Sequence, residues 1–178
     1  MKIMFISDIH GIVTNLDKIK NIFDNGNFDK MVVLGDLYYG GFNTFDRMES
    51  NNKIVRDFLN SYKDRIMCMR GNCDSDLDIT VSNFPINDGL SLINTDGIYI
   101  YLTHGDRYNS GNFSMKGILM YGHYHIPSIT KTDDMVYVCV GSVSLPRDGS
   151  SASYGVYDDK KIILYTIDGD VIDSVYLE

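Results

Sequence analysis

Hydrophobic positions along the chain fall into two periods. Lys2 to Ser7 carries Ile3, Met4, Phe5 and Ile6 in a row, the continuous apolar run of a buried strand. From Thr14 the spacing becomes helical, with Leu16, Ile19, Ile22 and Phe23 on one face. Thr14 is placed to cap that helix and Asn25-Gly26 to stop it. Met31 to Leu34 predicts a second buried strand, followed by a loop rich in Tyr and Gly (Tyr38, Tyr39, Gly40, Gly41). Ile54, Val55, Phe58, Leu59 and Tyr62 mark a second amphipathic helix, and Ile66 to Met69 a third strand. After a polar stretch, Leu90 to Ile93 and Ile98 to Leu102 flank Asp96-Gly97, a dipeptide suited to a tight hairpin turn. Ile118 to Tyr121, Met135 to Val140, Ser153 to Tyr157, Lys161 to Thr166 and Val171 to Leu177 complete a strand-rich second half, with turns at Asp159-Lys160 and Asp168-Gly169. No repeat, low-complexity segment or linker interrupts the series, so residues 1–178 are expected to form a single domain.

Polar residues at the ends of these runs change the picture. The first strand ends in Asp8 and His10, the second in Asp36, the third in Asn72-Cys73-Asp74, and later ones in His104 and in His123-Tyr124-His125. All four histidines of the chain belong to this set. If the chain stays extended beyond Met120, strand alternation points His123 and His125 to the same side. Taken alone, an Asp after a strand usually serves a turn, and Asn72 after Gly71 reads as a turn residue. Together they would require five separate coincidences at the same end of successive strands. In open α/β sheets the loops at the carboxyl ends converge on one crevice, which can gather residues far apart in sequence. Gly11, Gly35, Gly71, Gly105 and Gly122 stand beside most members, where tight turns are needed.

Composition narrows the chemistry. A 44% hydrophobic and 22% charged chain is an ordinary soluble one, and no apolar run approaches the roughly 18–20 residues that span a bilayer. The N-terminus lacks a secretory signal pattern, and three cysteines without metal-type spacing suit a reducing compartment, so a cytoplasmic location is expected. Cys68 and Cys139 read as core packing. A net charge of −8 opposes broad contact with a nucleic-acid backbone, so no polymeric nucleic acid and no membrane partner are expected; a homo-oligomer stays open.

Imidazole nitrogens and carboxylate or amide oxygens without thiolate favour intermediate divalent ions: Mn first, with Ni, Co, Fe or Zn admissible. Seven ligands exceed one tetrahedral site but suit two divalent metal ions if a carboxylate bridges them. Two Asp and two ions leave the centre at about +2, or about +1 with a hydroxide, a field that attracts a phosphate ester. The histidines bind metal only when neutral, so affinity is expected to fall as pH drops through roughly 6.5.

The blocks Asp-x-His, Gly-Asp, Gly-Asn-x-Asp, Thr-His-Gly and Gly-His-x-His, in this order, resemble those of the calcineurin-like metallophosphoesterases. Ser7-Asp8-Ile9-His10-Gly11, Gly71-Asn72-Cys73-Asp74-Ser75 and Gly141-Ser142-Val143-Ser144 are similar to the small YfcE-type phosphodiesterases of bacteria and archaea. The resemblance covers essentially the whole chain. It implies an α/β fold, a four-layer α/β/β/α sandwich of two mixed β-sheets flanked by helices. By position it assigns Asp8, His10 and His125 to a first metal and Asn72, His104 and His123 to a second, with Asp36 bridging. A hydroxide between the ions would attack phosphorus in line. Asn72, Cys73, Asp74 and His104 are the residues it places in catalysis. The substrate implied is a small phosphoester, chiefly a phosphodiester.

Three positions depart from the wider pattern. Cys73 stands where most of the superfamily has a histidine that assists the leaving group, as is common in the small phosphodiesterase branch. Asp106 replaces a second histidine, and Cys139-Val140 replaces Asn-Pro before Gly141. Two other readings belong to the same fold: a non-catalytic scaffold like the related retromer subunit, and a nucleotide phosphatase. The scaffold lacks the full ligand set, whereas all seven positions are filled here.

Overall fold

The computed structural model describes residues 1–38 and 49–177. Its first half alternates strand and helix: β1 (Ile3–Ile6), α1 (Leu16–Asn25), β2 (Lys30–Val33), α2 (Glu49–Ser61), β3 (Ile66–Met69), α3 (Asp76–Val81) and a short β4 (Ile86–Asn87). Eight further strands make up the second half: β5 (Ser91–Thr95), β6 (Ile98–Leu102), β7 (Gly117–Tyr121), β8 (Ser128–Lys131), β9 (Met135–Cys139), β10 (Ser153–Asp158), β11 (Lys161–Thr166) and β12 (Val171–Tyr176). The Tyr- and Gly-rich loop expected after β2 lies, from Tyr39 onward, outside the described residues.

These strands form a seven-stranded sheet ordered β12-β11-β10-β1-β2-β3-β4 and a five-stranded sheet ordered β5-β6-β7-β9-β8. Both are mixed. β1 to β4 pair in parallel and β10 to β12 antiparallel, while β6, β7 and β9 are parallel between antiparallel edges. The sheets pack face to face. Ile3, Phe5, Val32, Leu34 and Met69 of the first meet Ile100, Leu102, Ile118, Met120, Val136 and Val138 of the second in one core. The alternate residues Met4, Ile6, Met31, Val33 and Cys68 face outward onto Leu16, Ile19 and Phe23 of α1 and Val55 and Leu59 of α2. Both faces of the central strands are therefore covered, which is why they read as unbroken apolar runs. Full burial of each such side chain stabilises the fold by about 1.5–3 kcal/mol.

Two mixed sheets flanked by helices match the expected fold class. Helices α1 and α2 lie over the seven-stranded sheet. The outer face of the other sheet is covered by the non-helical segment 105–116, from which Phe113 packs on Leu119, Tyr121 and Tyr137. The Tyr137 hydroxyl donates to the Phe113 carbonyl at 2.8 Å and ties that layer down. No helix among the described residues is long and apolar enough to cross a membrane.

Local expectations fail in three places. The residue at the start of α1 is Asn15, not Thr14, and its side chain makes no cap; the amide donates instead to the Val143 carbonyl at 2.7 Å. Helix α3 is too short to show a period, although Ser75 and Asp78 form a capping box at its start. Strand β8 is an exposed edge with a single large apolar residue, Ile129, and carries no strand pattern. The hairpin turns fare better: Asp96 (φ 56°) and Gly97 (φ 78°) are both left-handed, the geometry of a tight turn between twisted strands.

Candidate metal centre

The carboxyl ends of β1, β2, β3, β6 and β7 lie at one end of the sandwich, and each releases its polar residues there. Five of the seven candidate ligands have left-handed backbones: Asp8 (φ 54°), His10 (51°), Asp36 (55°), His123 (67°) and His125 (63°). Non-glycine residues rarely adopt this region, and each costs on the order of 1–3 kcal/mol. The histidine pair is thus not an extended strand continuation, as alternation predicted. The chain bends at both residues, and the bends deliver the rings to the site. Close approach also dictates two glycines. A Cβ on Gly71 would overlap the Asp36 carboxylate, and one on Gly122 would overlap Ser7 Oγ.

Seven side chains converge as two linked groups. In the first, Asp8 Oδ1 lies 3.2 Å from His125 Nε2 and 3.7 Å from His10 Nε2, and the two imidazole nitrogens are 3.3 Å apart. In the second, Asn72 Oδ1 is 3.0 Å from both His104 Nε2 and His123 Nδ1, which are 3.3 Å from each other. Asp36 Oδ2 stands between them, 3.5 Å from His10 Nε2 and 3.4 Å from His104 Nε2. Its other oxygen accepts the Cys73 N–H at 2.8 Å, which aims Oδ2 at the centre. Asp36 thus lies within reach of candidate ligands from both groups.

Hydrogen bonds behind the ligands fix their donor atoms. His104 Nδ1–H donates to the Leu34 carbonyl at 2.7 Å and His125 Nδ1–H to the Leu145 carbonyl at 2.6 Å, so both turn Nε2 lone pairs inward. The His123 N–H holds Asp8 Oδ2 at 2.9 Å. Asp8 Oδ1 is buried and accepts no hydrogen bond among the described residues. A buried carboxylate oxygen facing imidazole lone pairs costs free energy unless a cation sits among them. The donor set therefore fits divalent metal ions.

Titration behaviour reflects the same arrangement. Burial opposes the charge of Asp8, but the imidazoles of His10 and His125, with the field of His104, outweigh it and hold its carboxyl well below the usual range. Burial would lower His104, yet the hydrogen bond and charge of Asp36, with Asp8 and the Leu34 carbonyl, raise it to about 9. Without metal, a proton on His104 takes the place of a cation. Burial and the charge of Asp36 push the Cys73 thiol up to about 12.

Two residues look different in three dimensions. Asp74, which the family resemblance places in catalysis, accepts the N–H groups of Asp36 (2.9 Å) and Gly71 (2.8 Å) on Oδ2 and that of Leu37 (2.8 Å) on Oδ1. It is a positioning residue that joins the loop after β2 to the loop after β3. Cys73 has its Sγ within 4.8 Å of a His10 nitrogen and an Asp36 oxygen, a proximity its place in the sequence does not reveal. Sequence reasoning also gave no role to Ser142. Its buried hydroxyl donates to the Asp8 carbonyl and accepts the N–H groups of Ser144 and Leu145, which carries the His125 ligand carbonyl. Only its place in the Gly141-Ser142 block signalled it.

Comparison with known proteins places the chain among relatives. Residues 1–161 match the calcineurin-like phosphoesterase superfamily domain. Phosphodiesterase YfcE of Escherichia coli K12 is 32% identical over 163 residues, covering 89% of this chain and 88% of YfcE. The solved structure of the E. coli phosphoesterase YfcE superposes with a TM-score of 0.91 at 29% identity, over the full length of both chains. Vps29 from Entamoeba histolytica, solved with zinc, shares the fold at a TM-score of 0.69 and 16% identity, again over both full chains.

Proposed function

Because the chain belongs to the calcineurin-like phosphoesterase superfamily, we propose that it is a metal-dependent phosphodiesterase whose two divalent ions share Asp36. The observation that carries this reading is the position of Asp36 Oδ2, within 3.5 Å of one ligand from each group. When bound, two such ions draw a nucleophile from water near neutral pH and neutralise charge on the phosphoryl oxygens. Asp8, His10 and His125 would hold one ion, and Asn72, His104 and His123 the other. Leu34 and Leu145 keep the His104 and His125 rings in register through their carbonyls. Asp74 and Ser142 set the loops on which the ligands ride.

Nitrogen and oxygen ligands favour Mn, with Ni, Co, Fe or Zn as alternatives. A chain of net charge −8 suits a small ester attracted by the local positive centre better than a polymer. Its three free thiols suit the cytoplasm. The complete ligand set favours an enzyme over a scaffold of this fold. The test is hydrolysis of an aryl phosphodiester by chelator-treated protein given each metal in turn. Activity restored by divalent ions supports the reading; metal-loaded protein without activity on any diester contradicts it.

A further inference from the structure

Beside the candidate metal ligands, on the outer side of the five-stranded sheet, an open depression of about 280 Å³ is lined by Ser110, Tyr121, Tyr124, Ile126, Ser128 and Cys139. Tyr124 is the residue between His123 and His125. Its ring stands nearly perpendicular to that of His123, with centroids 5.2 Å apart, and to that of Tyr121, at 6.0 Å. These contacts fix the ring plane, yet Tyr124 stays 45% exposed. Tyr124 therefore joins the depression to His123, one of the candidate ligands.

The size and lining of the depression limit what it takes. Pockets for whole drug-sized ligands run from about 300 to 1,000 Å³, so this one holds a single ring of a larger molecule. The walls are two aromatic rings, an aliphatic chain and a sulfur, joined by two serine hydroxyls, with no charged side chain. Such walls stack a planar ring and hydrogen-bond a polar edge, while leaving the phosphoryl charge to the metals. Resting on the phosphodiesterase reading, we infer that this depression is the subsite for one ester arm, and that the arm carries an uncharged aromatic ring of phenyl or pyrimidine type.

The experiment uses Mn-loaded protein and two diesters with the same p-nitrophenolate leaving group, the second arm being methyl in one and phenyl in the other. The ratio of their kcat/KM values is compared between wild type, Tyr124→Phe and Tyr124→Ala. Loss of ring stacking in Tyr124→Ala lowers the phenyl-to-methyl ratio by about tenfold, expressed in KM, while Tyr124→Phe preserves it. Ser128→Trp, which fills the depression, lowers the ratio as well. A ratio that Tyr124→Ala leaves unchanged, with both substrates slowed equally, overturns the subsite and makes Tyr124 a support for His123. That outcome leaves the phosphodiesterase reading standing, whereas wild type inactive on both diesters overturns both.

Discussion

Replacing Asp74 by Asn separates positioning from chemistry at this site. The wild-type carboxylate receives three backbone N–H groups, two on Oδ2 and one on Oδ1. An amide retains the Asp36 and Gly71 bonds only by turning its NH₂ toward the Leu37 N–H, so two donors meet in a buried place. Losing one hydrogen bond to a charged group costs about 1.5–3 kcal/mol. Burial pushes the Asp74 carboxyl up to about 6, against the pull of its N–H donors, so the comparison belongs at pH 8, where the side chain is ionised. In urea unfolding of the metal-free protein, the midpoint drops by roughly 1 M. Calorimetric Mn titration shows affinity weakened about 10- to 100-fold, as for other supports of metal ligands, because Asp36 and Asn72 lose their common anchor. An unchanged midpoint together with wild-type metal affinity refutes the positioning role. If activity alone were then lost, Asp74 would act on the substrate instead.

The geometry sets three further outcomes. If Asp36 bridges two ions as proposed, Asp36→Asn lowers diester hydrolysis by at least about a hundredfold, because such ions would supply several kcal/mol of transition-state stabilisation; a variant that keeps wild-type turnover with both ions bound removes Asp36 from the bridge. In the metal-free protein His104 is raised to about 9, so its protonated form stabilises the fold fully below the unfolded value of about 6.5 and that contribution is lost as pH rises through 9. Metal must displace this proton, so Mn affinity at the second position climbs with pH up to about 9, well above the 6.5 that unperturbed histidine implies, and equal affinities at pH 7 and 9 contradict the account. Burial and the charge of Asp36 keep the Cys73 thiol neutral, and a neutral thiol would be a weaker proton donor to a departing alkoxide than a histidine. Cys73→His therefore speeds alkyl esters more than aryl ones under saturating metal, and an equal change on both rules out leaving-group assistance.

The clustering of the candidate ligands was legible because parallel strands buried on both faces announce themselves as apolar runs, and the polar residues after each run land at one end of the sheet. Asp8, Asp36, Asn72 and His104 could be located that way. Their orientation could not. Alternation suggested how His123 and His125 would face, yet both reach the centre through left-handed bends that cost energy locally and depend on tertiary contacts such as the His123 N–H to Asp8 bond. Asp74 illustrates a second limit: its motif marked it as important, but only the three N–H donors show that it holds loops. Strand β8 and helix α3 escaped because an exposed edge and a six-residue helix have too few buried positions to make a period.

The shared centre is tested most directly by anomalous X-ray scattering at the manganese edge from crystals of Mn-loaded protein. Two peaks of comparable height are expected on either side of Asp36 Oδ2, one among Asp8, His10 and His125 and the other among Asn72, His104 and His123. A single peak in the first group at saturating Mn, with none beside Asn72, would contradict it.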